Sequence, residues 1–539
     1  MKNYDMFTLM LDCSRNGVMN IPSLHKMILL LEKMGYDSLM LYTEDTYEVQ
    51  NEPYFGYLRG RYTEAELKEL CAFGQEHHVE IIPCIQTLAH LNCIFKHEPY
   101  SKAWDVDDIL LVDEPRTYEL IENMFASLER SFITRKVHIG MDEAHMLGLG
   151  KFKDLHGFEN RVDIFIRHLK KVYEIAKKHG FEPMMWSDMF FRLASGGEYY
   201  DLNAKLDLEK LKGLPPVKQV YWDYYHQEEP FYERMIDLHR ELSDDVIFAG
   251  GVWTWTGFAP LLTYGEQVSA PALEACRKKG VKKVILTAWG DDGADCSSFS
   301  TLTTLFFIRE KALGIDDMSQ IKKDFEEMFG CAYDDFKLLE IPNFLTHKRK
   351  DGWLCLNTCR YFLYNDPLLG IFDTRVELKD EALYADHAKK LKDAGKRAGE
   401  WGYLFDYLSS LCEAIGSKLT LGVKMREAYQ KGDKDALKSL LPALETAAKK
   451  IEEFAKQYRA RWLKDNKPQG LEIGQIKHAG VKTRLEEAKL RIEEYLKDGT
   501  PIPELDEKIL PIKQDEEDPK EPMICYNSYL YMISNNRMV

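Results

Sequence analysis

From Met1 to about residue 313, short β-type runs alternate with amphipathic helical stretches, and this alternation limits the possible folds more than any other property of the chain. The runs are Phe7 to Asp12, Ser38 to Thr43, Val79 to Gln86, Lys136 to Asp142, Pro183 to Ser187, Val217 to Asp223, Val246 to Trp253 and Lys283 to Gly290. Between them apolar residues recur at three- and four-residue steps, as in Leu24, Met27, Ile28, Leu31 and Met34 before Gly35, or Val162, Ile166, Leu169, Val172 and Ile175 before Gly180. That spacing lays one apolar stripe along a helix, and glycine is a usual residue just past its last turn. Strand followed by helix, eight times, predicts an α/β fold in which residues 1–313 close a parallel (β/α)8 TIM barrel, in preference to an open doubly wound sheet.

From 314 to 499 the β-type runs give way to Lys, Glu, Ala and Leu, which predicts a helical domain. Its clearest helix carries Leu444, Ala447, Ile451, Phe454, Tyr458 and Trp462 on one face, with Pro442 expected near the start. Residues 500–522 are rich in Pro, Asp, Glu and Lys and read as a linker, so that 500–539 would be a linker and an aromatic tail docking on the rest. The apolar stripe and the tail make a homodimer the expected assembly.

Charge narrows the partners. A net charge of −16 without any concentration of Lys and Arg argues against nucleic acid and against an anionic membrane surface. The opening residues meet charge too early for a secretory leader and no run is long enough to span a bilayer, so a cytoplasmic location is expected. Eleven cysteines are scattered without zinc-ligand spacing, Cys355 and Cys359 forming only a loose pair. Free thiols and no metal or organic cofactor are the expectation.

In such a barrel chemistry gathers at the carboxyl ends of the strands. These ends hold Asp12 and Arg15, Gln86 and His90, His138 to Glu143, Trp186 and Asp188, Trp222 with Asp223 and Tyr224, Trp253 and Trp255, and Trp289 with Asp291. One rim tryptophan is ordinary packing. Several of them, with carboxylates and Arg15 at their margins, suit a sugar, which offers flat apolar C–H faces and polar edges. On the fourth strand, alternation puts His138, Gly140 and Asp142 on one face and Val137, Ile139 and Met141 on the other, with Asp142 at the mouth and Glu143 entering the loop. Adjacent carboxylates can divide the work if one stays ionised while the other donates a proton.

The segment His138-Ile-Gly-Met-Asp-Glu143 resembles the H-x-G-x-D-E signature of glycoside hydrolase family 20, the β-N-acetylhexosaminidases. The resemblance covers the whole barrel and is strongest to the bacterial branch with the barrel first and a helical domain after it. It implies an exo-acting, retaining enzyme that removes terminal β-linked N-acetylglucosamine or N-acetylgalactosamine by substrate-assisted catalysis, an exception to the two-carboxylate scheme. Asp142 would orient the 2-acetamido group and stabilise an oxazolinium intermediate, and Glu143 would serve as general acid and base. Arg15 with Asp291 would hold sugar hydroxyls, while His90, Trp186, Trp222 and Trp289 would line the pocket. Asp223 would stand at its margin, either Trp253 or Trp255 would form the floor, and Tyr221, Tyr224 or Tyr225 would meet the acetamido carbonyl, with Tyr224 favoured. Two positions depart from the family pattern: Met141 replaces a second glycine common in relatives, and Asp291 replaces a longer Glu.

Other classes fit less well. Asp142-Glu143-Ala144-His145 spells a helicase box, but no phosphate-cradling G-x-x-x-x-G-K-[ST] loop occurs in the chain. A metal-dependent hydrolase using His138, Asp142 and His145 lacks a third histidine nearby. A carbohydrate-binding barrel without catalysis would keep the tryptophans and Arg15 but would have no use for both Asp142 and Glu143.

Overall fold

The structure is a computed structural model that describes residues 4–344 and 358–510. Eight parallel strands close a barrel in sequence order: β1 (Met6–Asp12), β2 (Ser38–Tyr42), β3 (Glu80–Cys84), β4 (Lys136–His138), β5 (Glu182–Trp186), β6 (Lys218–Trp222), β7 (Val246–Gly251) and β8 (Lys283–Ala288). All eight expected strands are present. The closing pair is β1 with β8, in register from Met6 opposite Lys283 to Leu11 opposite Ala288. Alternate residues point inward, so Met6, Met10, Met40, Tyr42, Ile82, Cys84, Met184, Trp186, Val220, Ile247, Ala249 and Ile285 fill the barrel, with Trp222 and Trp289 packed against them. The helices between strands follow their sequence signals: Ile21–Met34 is capped by Asn20, whose side chain accepts from Ser23 N, and is ended by Gly35 at φ 78°.

Most strands end within two residues of expectation, but one is less than half its expected length. β4 stops at His138 instead of running to Asp142, because Gly140, Met141 and Glu143 take φ of 68°, 71° and 51°. Left-handed residues break the two-residue alternation, so Asp142 reaches the mouth by a turn.

The chain divides into two compact units, the first being Met1–Val252, Gly265–Gly290 and Phe307–Ile315, and the second Trp253–Tyr264, Asp291–Phe306 and Asp316–Val539. The segments after β7 and β8, assigned by sequence to the barrel, therefore group with the helical unit. Within that unit the helix Lys434–Asp465 buries Leu444, Ala447, Ile451, Phe454, Tyr458 and Trp462, the expected stripe. Pro442 lies two turns inside this helix, not near its start, and its missing N–H leaves one rung of the helical ladder unmade. The first part of the expected linker is docked: Pro503–Asp506 form a helical turn, Ile502 and Leu505 are buried, and Arg426 donates to the carbonyls of Glu504 and Glu507 at 2.7 Å each. The aromatic tail, like Cys355, lies outside the described residues. No described helix is long and apolar enough to cross a membrane.

Candidate active site

The mouth of the barrel is built from short segments that leave β1 to β6 and β8. After β1, Asp12 folds back on its own loop, accepting from Ser14 N at 2.9 Å, from Arg15 Nη1 at 2.9 Å and from Gly290 N at 2.9 Å. Burial pushes the Asp12 carboxyl up, but the Arg15 guanidinium and these donors outweigh it and hold the group below the usual range. Arg15 lies over the rings of Tyr42 and Trp289, at 5.0 and 5.2 Å, and its Nε is 3.2 Å from Glu44 Oε1. Glu44, just past β2, is buried, and burial raises its carboxyl to about 7 despite Arg15.

The sign of that shift makes a prediction. An acid whose folded value exceeds its unfolded one binds protons preferentially in the folded state, so its contribution to stability declines as pH rises from the ordinary Glu value through about 7. Glu44→Gln should therefore flatten the fall in Tm across that window, as read from thermal melts at a series of pH values; an unchanged slope would mean that Glu44 does not titrate there.

Asp142 is gripped from two sides. Gln86 Nε2 donates to Oδ1 at 2.8 Å, and His90 Nε2 sits 3.2 Å from Oδ2. Burial opposes the charge, but His90 and Gln86 more than offset it and hold the Asp142 carboxyl at about 2. The same pair lifts His90 to about 10, against the burial that disfavours its cation. His90 is anchored by its own N–H, which donates to Asp108 Oδ2 at 2.9 Å, and adopts φ 58°. Gln86 also accepts from Met141 N at 3.2 Å, so the turn that presents Asp142 is tied to the amide that binds it. Beneath, the ring of buried His138 accepts from Gly140 N at 3.1 Å, and burial lowers it to about 3, leaving it neutral.

Glu143 is the outer member, 39% exposed at its side chain. Its oxygens lie 3.8 Å from His90 Nε2 and 3.6 Å from Arg192 Nη2. Its main-chain N–H donates to Asp188 Oδ2 at 3.1 Å, and Arg192 Nε donates to the same oxygen at 3.0 Å. Burial, then the nearby Asp142 carboxylate, raises Asp188 to about 7. Positive φ at His90, Met141 and Glu143 concentrates backbone strain around one carboxylate pair, as functional sites often do.

The expected aromatic wall is present in part. Trp222 stacks on Tyr224 with centroids 5.4 Å apart, Trp289 Nε1 donates to Tyr224 OH at 3.1 Å, and Trp186 lies 6.0 Å from Trp289. Of the three candidate tyrosines, Tyr224 stands in this ring of aromatics. Tyr221 is buried and donates to Asp223 Oδ2 at 2.7 Å, and Tyr225 is 43% exposed. Asp223 is not a margin group: it is buried, and its oxygens also accept from Tyr225 N and engage His226 Nδ1, because the loop after β6 folds around it. Trp253, Trp255 and Asp291 belong to the second unit, where Trp253 stacks on Trp255 at 4.5 Å and Asp291 is exposed.

Sequence reasoning gave no role to Glu44, Gln86, Asp188 or Arg192. Glu44 follows directly on the second β-type run, and Asp188 with Arg192 has the i, i+4 spacing of a helical ion pair right after the fifth. As for a metal, His90, Asp142 and Glu143 have ligand atoms within 4.8 Å of one another, the one such cluster among the described residues. The donor set fits a cation poorly, because His90 is itself held as the cation between the two carboxylates. The trio His138, Asp142 and His145 forms no such cluster.

Comparison with known proteins agrees with this architecture. The profile of the glycosyl hydrolase family 20 catalytic domain matches residues 21–204, and that of the glycoside hydrolase 20C C-terminal domain matches residues 334–524. Human hexosaminidase D is 25% identical over 210 residues, 36% of this chain, which spans only 40% of that relative's length. Bovine hexosaminidase D is 23% identical over 337 residues, 57% of this chain and 90% of its own. A crystal structure of a family 20 exo-β-N-acetylglucosaminidase from Vibrio harveyi aligns over 61% of this chain and 58% of its own, with a TM-score of 0.46 and 14% identity. The two family profiles fall on the barrel and on the helical region after it and together cover more than two-thirds of the sequence, so the chain belongs to glycoside hydrolase family 20.

Proposed function

We propose that the protein is an exo-acting, retaining β-N-acetylhexosaminidase working by substrate-assisted catalysis. The observation that carries this reading is the Asp142 carboxylate, kept ionised by Gln86 and His90, next to Glu143 and within electrostatic reach of Tyr224, the tyrosine that Trp222 and Trp289 flank. A mostly buried carboxylate that is held charged suits the stabilisation of a positive charge that develops during reaction. The substrate's 2-acetamido oxygen attacks the anomeric carbon while Asp142 accepts from the acetamido N–H and opposes the charge of the oxazolinium ring. Tyr224 is the tyrosine suited to donate to the acetamido oxygen. Glu143 protonates the departing glycosidic oxygen, then takes a proton from the water that opens the ring, and two inversions give retention. Arg15, braced by Asp12 and Glu44 against Trp289, suits the hydroxyls of a terminal sugar.

The test is hydrolysis of paired aryl β-glycosides that differ only in a 2-acetamido or a 2-hydroxyl group. Turnover confined to the acetamido sugar is expected. Equal turnover of the 2-hydroxyl sugar would make an enzyme carboxylate the nucleophile, and Asp142 would no longer be the group that orients a reacting acetamide.

A further inference from the structure

A second recess adjoins the acid. A cavity of about 390 Å³, within the ~300–1,000 Å³ range of small-molecule sites, is lined by His145, Phe158, Asn160, Arg161 and Arg192 among others. Arg192 belongs to both places, since its Nη2 lies 3.6 Å from Glu143 Oε1. His145 follows Glu143 by two residues. If Glu143 protonates the leaving oxygen, the group attached to that oxygen departs past Glu143, and this open recess lies beside it.

The chemistry of the walls is specific. In a chain of net charge −16, no Asp or Glu is among the described residues lining this cavity. Among the described residues Arg161 donates to main-chain carbonyls, those of Leu147 at 3.1 Å, Ala144 at 3.4 Å and His145 at 2.5 Å, and to no carboxylate. Burial alone pulls its guanidinium below the ordinary value. Phe158 is 78% exposed on the same wall, a ring on which a sugar face can stack. A guanidinium bound only to neutral carbonyls, next to an open aromatic ring, suits an anionic sugar.

We propose that this cavity is the leaving-group subsite and that it selects aglycones carrying an anionic sugar, a hexuronate or a sulfated hexose. The proposal rests on the reading of Glu143 as the general acid. The experiment compares three β-N-acetylglucosaminyl disaccharides whose reducing sugar is glucose, glucuronic acid or glucose 6-sulfate, in the native chain and in Asn160→Asp, with an aryl N-acetylglucosaminide as reference. Aspartate retains the capping role that Asn160 fills by accepting from Val162 N, so the substitution adds charge without removing the cap. At least one anionic disaccharide is expected to be cleaved with about tenfold higher kcat/KM than the neutral one, the worth of a charged hydrogen bond. That ratio should shrink severalfold in Asn160→Asp and with added salt. Preference for glucuronate assigns a carboxylate ligand, and preference for the sulfate a sulfate ester. Equal kcat/KM on all three, or a preference indifferent to Asn160→Asp, overturns the proposal. If the aryl glycoside is cleaved but no disaccharide is, the subsite falls while the activity stands; if neither is cleaved, both fall.

Discussion

Glu143→Gln is expected to lose about 10²- to 10⁴-fold in kcat on β-N-acetylhexosaminides with sugar or alkyl leaving groups, the usual contribution of a positioned acid. On a nitrophenyl glycoside, whose leaving group departs without a proton, much more of the first step should survive. The split follows from the geometry. Glu143 is the outer carboxylate, partly exposed, with Arg192 and His90 at 3.6 and 3.8 Å, and it does not touch the groups that hold Asp142 except through His90. Asp142→Asn should behave differently, lowering turnover of both substrates together, because an amide cannot oppose the positive charge formed in the ring-closing step. Equal losses of Glu143→Gln on both leaving-group types would take the acid role from Glu143.

The second large effect is structural. Gly140 has φ +68°, and a β-carbon there would sit 2.0 Å from Gln86 Oε1 and 2.9 Å from the Ile85 carbonyl oxygen. An alanine at this position carries the left-handed penalty of about 1–2 kcal/mol and must also expel Gln86. Expelling Gln86 breaks its bond to the Asp142 carboxylate, worth a further ~1.5–3 kcal/mol for a hydrogen bond to a charged group. Gly140→Ala is therefore expected to lower stability by about 2.5–5 kcal/mol in total and to reduce kcat/KM although it touches no substrate. Denaturant unfolding and aryl glycoside kinetics check this together. A stable Gly140→Ala protein with undiminished activity would show that the turn can relax without disturbing Asp142.

The barrel was legible because its strands alternate with stretches of helical periodicity, and the acidic pair because it ends an apolar run. What alternation could not foresee is the turn after His138. Met141 takes φ 71°, a conformation that is unstrained for glycine but costs a residue with a β-carbon. The side-chain partners were hidden for a different reason. Arg15 could be read as a sugar-binding cation and its pairing with Asp12 is local, but Glu44 comes from the next strand and Trp289, the ring it lies over, meets it only once β8 closes on β1. Asp223 looked like a pocket carboxylate, yet its loop folds back to consume both oxygens locally, a pattern that sequence spacing alone does not distinguish from an open acid. The grouping of Trp253, Trp255 and Asp291 with the helical unit is likewise a tertiary fact without a local signal.

The short β4 has a consequence for how the molecule balances robustness against chemistry. Between β3 and β4 the ladder is a single matched pair, Cys84 with His138, where β1 and β2 match five. Above that pair the seam is closed by side chains: Thr87 Oγ1 on the Ile139 carbonyl, Gln86 on Asp142, and Asp142 on His90. Asp142, held at about 2 in the folded chain, favours folding at all pH values above the ordinary Asp range, and this contribution fades only as pH falls toward 2. In many enzymes a catalytic group is a liability to the fold, and replacing it yields a sturdier protein. In this barrel the carboxylate proposed to act on the substrate is also mortar in the wall, so replacing it should weaken the scaffold that carries it.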